Sequence, residues 1–145
     1  MTLTMTAAVR NSRLDAITTA ATTGGATVPK IRIYTGTKPS FASTAITTET
    51  LLVELSCQSG FAAAASGGVL TLTSASGVVG SGTAVASGSA GWFRLINGNS
   101  TTTVLDGSIG TSGQDLNMPS ISITSGQPVQ VTSFTITEAN ASGTP

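Results

Sequence analysis

Apolar residues change their spacing once along this chain. Up to residue 21 they recur every three to five positions, at Met5, Val9, Leu14, Ile17 and Ala21, the interval that lines up one side of an α-helix. Thr6 stands where an N-cap is wanted and "TTGG" ends the pattern, so the spacing predicts a short amphipathic helix over residues 6–21. From Val28 onward the period is two, the alternation of strands with one face in and one face out. "KIRIYTG" sets Ile31 and Ile33 against Lys30, Arg32 and Tyr34, and Gly36 with Pro39 closes it. "TLLVELSC" (50–57) and "GGVLTLTS" (67–74) follow, while "SGVVGSG" (76–82) reads as a turn or a weak edge segment.

A strand over about residues 90–97 places Trp92, Arg94 and Ile96 on one face and Phe93 and Leu95 on the other. Both faces are apolar at its centre, which predicts an inner strand. Asn97-Gly98-Asn99 is a hairpin signal, because Asn and Gly tolerate the positive φ of tight turns, and the chain should return along "TTTVLDG" (101–107). "SISI" (120–123) and "PVQVTSFTITEA" (128–139) supply two more strands. In the last, Val129 and Val131 share one phase and Phe134 and Ile136 the other, so a bulge near Thr132 and Ser133 would bring all four to the core. Seven or eight short strands divided by turn residues predict a mainly β fold, a jelly-roll-like or β-sandwich single domain at 28–145, preceded by an N-terminal arm or helix at 1–27. No repeat of about 20–50 residues points to a solenoid or propeller.

Composition narrows the use of such a fold. Ser and Thr make up 45 of the 145 residues and charged residues only 8%, against roughly 25% in ordinary domains. A surface of Ser, Thr, Ala and Gly loses little side-chain entropy when immobilised, whereas ordering a long charged side chain costs up to about 2 kcal/mol. Such a surface suits repeated assembly as well as free solution. The six basic and six acidic residues cancel, leaving no overall field to draw in nucleic acid or an acidic membrane, so neither is expected as a partner. The balance is uneven along the chain: Arg10, Arg13, Lys30, Arg32 and Lys38 against Asp15 give residues 1–38 a net +4, and the remainder carries −4. That polarity would let neighbouring copies meet basic end to acidic end; scattered, solvated charges are the plainer reading and the one favoured. No apolar run approaches the ~18 residues of a membrane span, and "MTLTMTAAVRNSR" has neither the basic start nor the apolar stretch of a signal peptide. Cys57, the single cysteine, falls in phase with Leu51, Val53 and Leu55 and reads as a small core residue.

Candidate chemistry is sparse. The chain has no histidine, which removes Ser-His-Asp and Cys-His arrangements and the commonest metal ligand. Lys30 and Lys38 sit beside prolines, where solvent reaches them, against a Ser-Lys pair. Asp106 and Asp115 bracket "GSIGTSGQ". Carboxylates so placed cap turn amides in most proteins, and otherwise gather a cation or act on a glycoside. The glycines of "GTSG" and "GSG" lack the Lys-Ser/Thr ending of a phosphate loop. Arg94, among Trp92, Phe93, Leu95 and Ile96, needs a partner, either a carboxylate such as Asp106 or the face of Trp92. Six aromatic residues do not interleave with a basic patch, so base stacking is not indicated. No catalytic residue, cofactor or metal site is expected.

"IRIYTG", "GWFRL", "DGSIGTSGQDLN" and "VTSFTITE", within a stretch from about Lys30 to Ala141, resemble a family of small virion proteins encoded among the head genes of tailed bacteriophages and their prophages. The resemblance implies a non-enzymatic, jelly-roll-like cement or decoration protein. Such a protein is made in the bacterial host cytoplasm, binds the major capsid protein on the outer capsid surface and self-associates as a dimer or trimer. Tail, neck or fibre-associated structural proteins share the same texture, and a surface carbohydrate binder or hydrolase using Asp106 and Asp115 is a further alternative, disfavoured by one Trp and one Tyr. Candidate capsid or subunit contacts are Arg10 and Arg13 on the N-terminal arm, Arg94, and Asp106 and Asp115 flanking the Gly-rich loop.

Overall fold

The computed structural model describes residues 4–23 and 28–138. Chain order runs α1 (Ala7–Thr22), β1 (Lys30–Tyr34), β2 (Leu51–Cys57), β3 (Val69–Leu72), β4 (Gly80–Thr83), β5 (Gly88–Ser89), β6 (Trp92–Ile96), β7 (Thr103–Gly110), β8 (Leu116–Asn117), β9 (Ser122–Ile123), β10 (Pro128–Val131) and β11 (Phe134–Thr137). Seven strands form one curled sheet in the order β10-β4-β2-β1-β6-β7-β8. A β11-β3 pair and a short β5-β9 pair complete the fold. The protein is mainly β, with one N-terminal helix, and has the architecture of a sandwich or jelly-roll-like single domain.

The period-two pattern explains the core. Ile31 and Ile33 of β1, Val53 and Leu55 of β2, and Phe93 and Leu95 of β6 point to one side of the large sheet. There they meet Leu70 and Leu72 of β3, Phe61 and Phe134. Phe93 and Phe134 touch edge to face at 5.5 Å and 72°, a contact worth about 0.5–1.5 kcal/mol beyond its burial, and it ties the two sheets together. All five residues of β6 are buried and the strand pairs with β1 and β7, so it is the inner strand its apolar faces predict. Cys57 is buried in the same core.

The phase change at residues 132–133 is sharper than a bulge. The chain leaves the large sheet after β10 and joins β3 as β11, the way strands turn corners between packed sheets. The outcome for the side chains is the expected one: Val129, Val131 and Phe134 are buried and Ile136 packs against them.

Three local expectations need correction. The segment read as a turn or weak edge holds most of β4, which lies inside the large sheet between β10 and β2. Its small residues permit this, because a Cβ at Gly82 would collide with the Glu54 carbonyl oxygen. The hairpin between β6 and β7 exists, but its turn is wider than a two-residue one. The Asn97 amide donates to the Thr102 carbonyl, and Ser100, not Gly98, takes the left-handed conformation at φ 57°. Asn97, 4% exposed, holds this turn by accepting the Thr101 and Thr102 amides on Oδ1. Finally, β7 continues to Gly110, so half of the Gly-rich stretch after Asp106 is strand, and β8 pairs parallel to its end.

The helix begins as expected, with the Thr6 hydroxyl accepting the Val9 amide. Its docking is less apolar than the spacing predicts. Leu14 and Ala21 are buried, but Val9 is 48% exposed, and polar side chains turn toward the domain. Asp15 accepts the Ala65 amide and Asn11 the Gly68 amide. Those loop amides need acceptors once the helix covers them, so polar residues win positions that an amphipathic stripe would give to aliphatic ones. The expected helix stop at Gly24 and Gly25 and the end of the last strand at Ala139 lie outside the described residues.

Candidate functional site

Register places the charges of the outer sheet face in one row. Glu54 of β2 lies opposite Arg32 of β1, Arg32 opposite Arg94 of β6, and Arg94 opposite Asp106 of β7. The order across four strands is therefore acidic, basic, basic, acidic. Two cations side by side repel, and each is held by the carboxylate on its outer flank. Arg32 Nε donates to Glu54 Oε2 at 2.7 Å and Lys30 reaches Glu54 Oε1 at 2.9 Å. Arg94 Nε and Nη2 donate to the two oxygens of Asp106, both at 2.7 Å, the bidentate geometry in which guanidinium binds a carboxylate most firmly.

Tertiary cover buries the second pair. Arg94 Nη1 donates to the Thr44 carbonyl of the β1–β2 loop, and the guanidinium carbon stands 5.3 Å from the Trp92 ring centre. Trp92 stacks on Tyr34 at 4.7 Å and donates from Nε1 to the Thr35 carbonyl. The Asp106 bonds, then burial working against them, leave the Arg94 guanidinium held above its ordinary value. Burial opposes the ionised form of Glu54, but the bonds from Lys30 and Arg32 outweigh it and hold the carboxyl below the usual range. Desolvation pushes the Tyr34 phenol up.

Both partners weighed for Arg94, Asp106 and the face of Trp92, are used together. The pair is internal, with side chains 7% and 2% exposed, so neither group presents a charged surface to another molecule. Asp115 takes the turn role: one oxygen accepts both the amide and the hydroxyl of Ser108. Arg10 and Arg13 are not free on an arm. Arg10 donates to the Glu138 carbonyl and Arg13 pairs with the Glu138 carboxylate, which clips α1 to the end of β11. The basic first quarter and the acidic remainder of the chain thus neutralise each other within one molecule, in the Arg32–Glu54, Lys30–Glu54 and Arg13–Glu138 contacts.

Among the described residues no three His, Cys, Asp or Glu gather as a metal site, and no helix is long and apolar enough to cross a membrane. A cleft of about 220 Å³ lies between β7 and β11. Phe93 and Phe134 line it together with Leu105, Asp106, Gly107, Asp115, Thr135, Ile136 and Thr137. Gly107 makes room for its floor, since a Cβ there would strike the Phe93 ring. Composition did not reveal this cleft; the one available signal was a glycine inside a strand pattern, which marks close approach. Compared with models of protein families, with curated proteins and with solved structures, the chain matches none.

Proposed function

We propose that the chain is a non-enzymatic structural protein of a phage particle, a cement or decoration protein that docks on the outside of the head and self-associates there as a dimer or trimer. One observation carries the reading beside the sequence resemblance: each of the twelve charged side chains bonds within the chain. Arg94 and Asp106, Arg13 and Glu138, and Lys30 and Arg32 with Glu54 form ion pairs. Asp15, Asp115 and Glu49 accept backbone amides, and Arg10 and Lys38 donate to carbonyls. What faces outward is dominated by short hydroxyl and methyl side chains on a sheet scaffold. Docking such a surface immobilises few rotamers, and many modest contacts repeated over a lattice hold through avidity.

The same observation weighs against catalysis by Asp106 and Asp115, because each carboxylate already has an internal partner. Quantitative mass spectrometry of purified particles tests the proposal. Copies comparable in number to the major capsid protein are the expected result. A handful per particle would place the protein at the tail, neck or fibre, and none would overturn a structural role.

A further inference from the structure

The sandwich is open along one seam. Strand β7 pairs with β6 on one side, but on the other, among the described residues, only Ile109 and Gly110 pair, with β8. Among the described residues strand β11 pairs with β3 alone. Backbone groups point alternately left and right along an antiparallel strand. The Glu138 amide donates to the Gly68 carbonyl, so Ile136 and Phe134 also turn their backbone groups to β3, and Thr135 and Thr137 turn theirs to the free edge. On the opposite wall the Ile109 amide donates to the Gly91 carbonyl and the Ser108 amide to Asp115. Asp106, two residues before Ser108, therefore turns its N–H and C=O away from β6. Residues of both edges, Asp106 on β7 and Thr135 and Thr137 on β11, line the cleft floored by Phe93 and Phe134.

Other sheet edges are blunted. Edge strand β10 begins with Pro128 and β8 is two residues long, both devices that discourage added strands. The seam has neither device; α1 packs against β7 and is clipped to Glu138, but no residue of α1 lines the cleft. It ends at Asp115, whose carboxylate accepts from Ser108 and has no cationic partner among the described residues.

We infer that this seam takes an extended segment of the protein on which the chain docks, added as a strand between β7 and β11. Main-chain bonds to Asp106, Thr135 and Thr137 supply the pairing, as in other cases of strand addition. The floor selects apolar side chains at alternate positions, and Asp115 selects a Lys or Arg at one end. The inference rests on the docking reading above and names its contact.

Hydrogen exchange of the full-length protein, free and bound to purified heads stripped of it, tests the seam. Docking should slow exchange at the amides of Asp106, Thr135 and Thr137 by about two- to tenfold, the scale of one hydrogen bond gained. Thr135→Pro deletes an outward donor without touching the β3 ladder, and should reduce head occupancy by about tenfold or more. Docking that leaves the three amides fast overturns the seam while keeping the docking reading. Failure of the wild-type protein to dock overturns the reading and the seam with it. Should the proline variant not fold, the wild-type exchange measurement decides alone.

Discussion

Asp106→Asn removes one charge from the centre of the outer sheet face and keeps the side chain's shape. Arg94, 6% exposed, would be left with the Thr44 carbonyl, the Trp92 ring and a single neutral amide oxygen. Beside it stands Arg32, whose own carboxylate is shared with Lys30. Two charge-assisted bonds at 2.7 Å are altered, each worth about 1.5–3 kcal/mol, and stranding one member of a buried pair costs about 3–5 kcal/mol. Domains hold only about 5–15 kcal/mol in total. Urea unfolding followed by the fluorescence of Trp92, the only tryptophan, should therefore show a midpoint lowered by about 2 M, given slopes of roughly 1–3 kcal/mol per molar. The double variant Arg94→Met with Asp106→Leu removes the stranded charge and should recover most of the loss. A single-variant cost below about 1 kcal/mol, the level of an exposed pair, would refute the reasoning. So would a double variant whose cost equals the sum of those of Arg94→Met and Asp106→Leu measured singly.

Gly107→Ala should destabilise by about 1–3 kcal/mol through overpacking, because the new methyl meets the Phe93 ring; an unchanged thermal midpoint would contradict the close approach. Burial pushes the Cys57 thiol up to about 12, while an unfolded thiol ionises near about 8.5. Its stabilising share is complete below that pH and declines as pH rises toward 12, so iodoacetamide at pH 8.5 should label Cys57 only after unfolding. Glu54, held below its ordinary value by Lys30 and Arg32, stabilises the fold above the unfolded carboxyl value of about 4.3 and loses that effect as acid protonates it. The stability gap between wild type and Glu54→Gln, measured by urea unfolding, should accordingly narrow between pH 7 and pH 3.

Local pattern was enough for the elements that bury one face. Ile31 and Ile33, Val53 and Leu55, and Phe93 and Leu95 announce strands by alternation alone, since exposing either phase to water costs the burial of every residue in it. Thr6 announces a helix start because an orphan amide needs an acceptor nearby in sequence. Even the Arg94 problem was legible: a guanidinium flanked by Trp92, Phe93, Leu95 and Ile96 demands a partner, and Asp106 sat within hairpin reach.

Tertiary structure decided what depends on a neighbour distant in sequence. Gly82 looks like a turn residue until the Glu54 carbonyl arrives beside it, when the missing side chain becomes the condition for an inner strand. Arg10 and Arg13 look like a free basic arm until β11 brings Glu138 to them. The open seam follows from which strand edges remain unpaired once the sheet has curled, a property of register and strand order that no window of residues contains. Sequence alone determined which side chains leave water; the fold determined which charges meet and which backbone edge is left without a strand partner among the described residues, because those contacts close loops whose length carries no pattern.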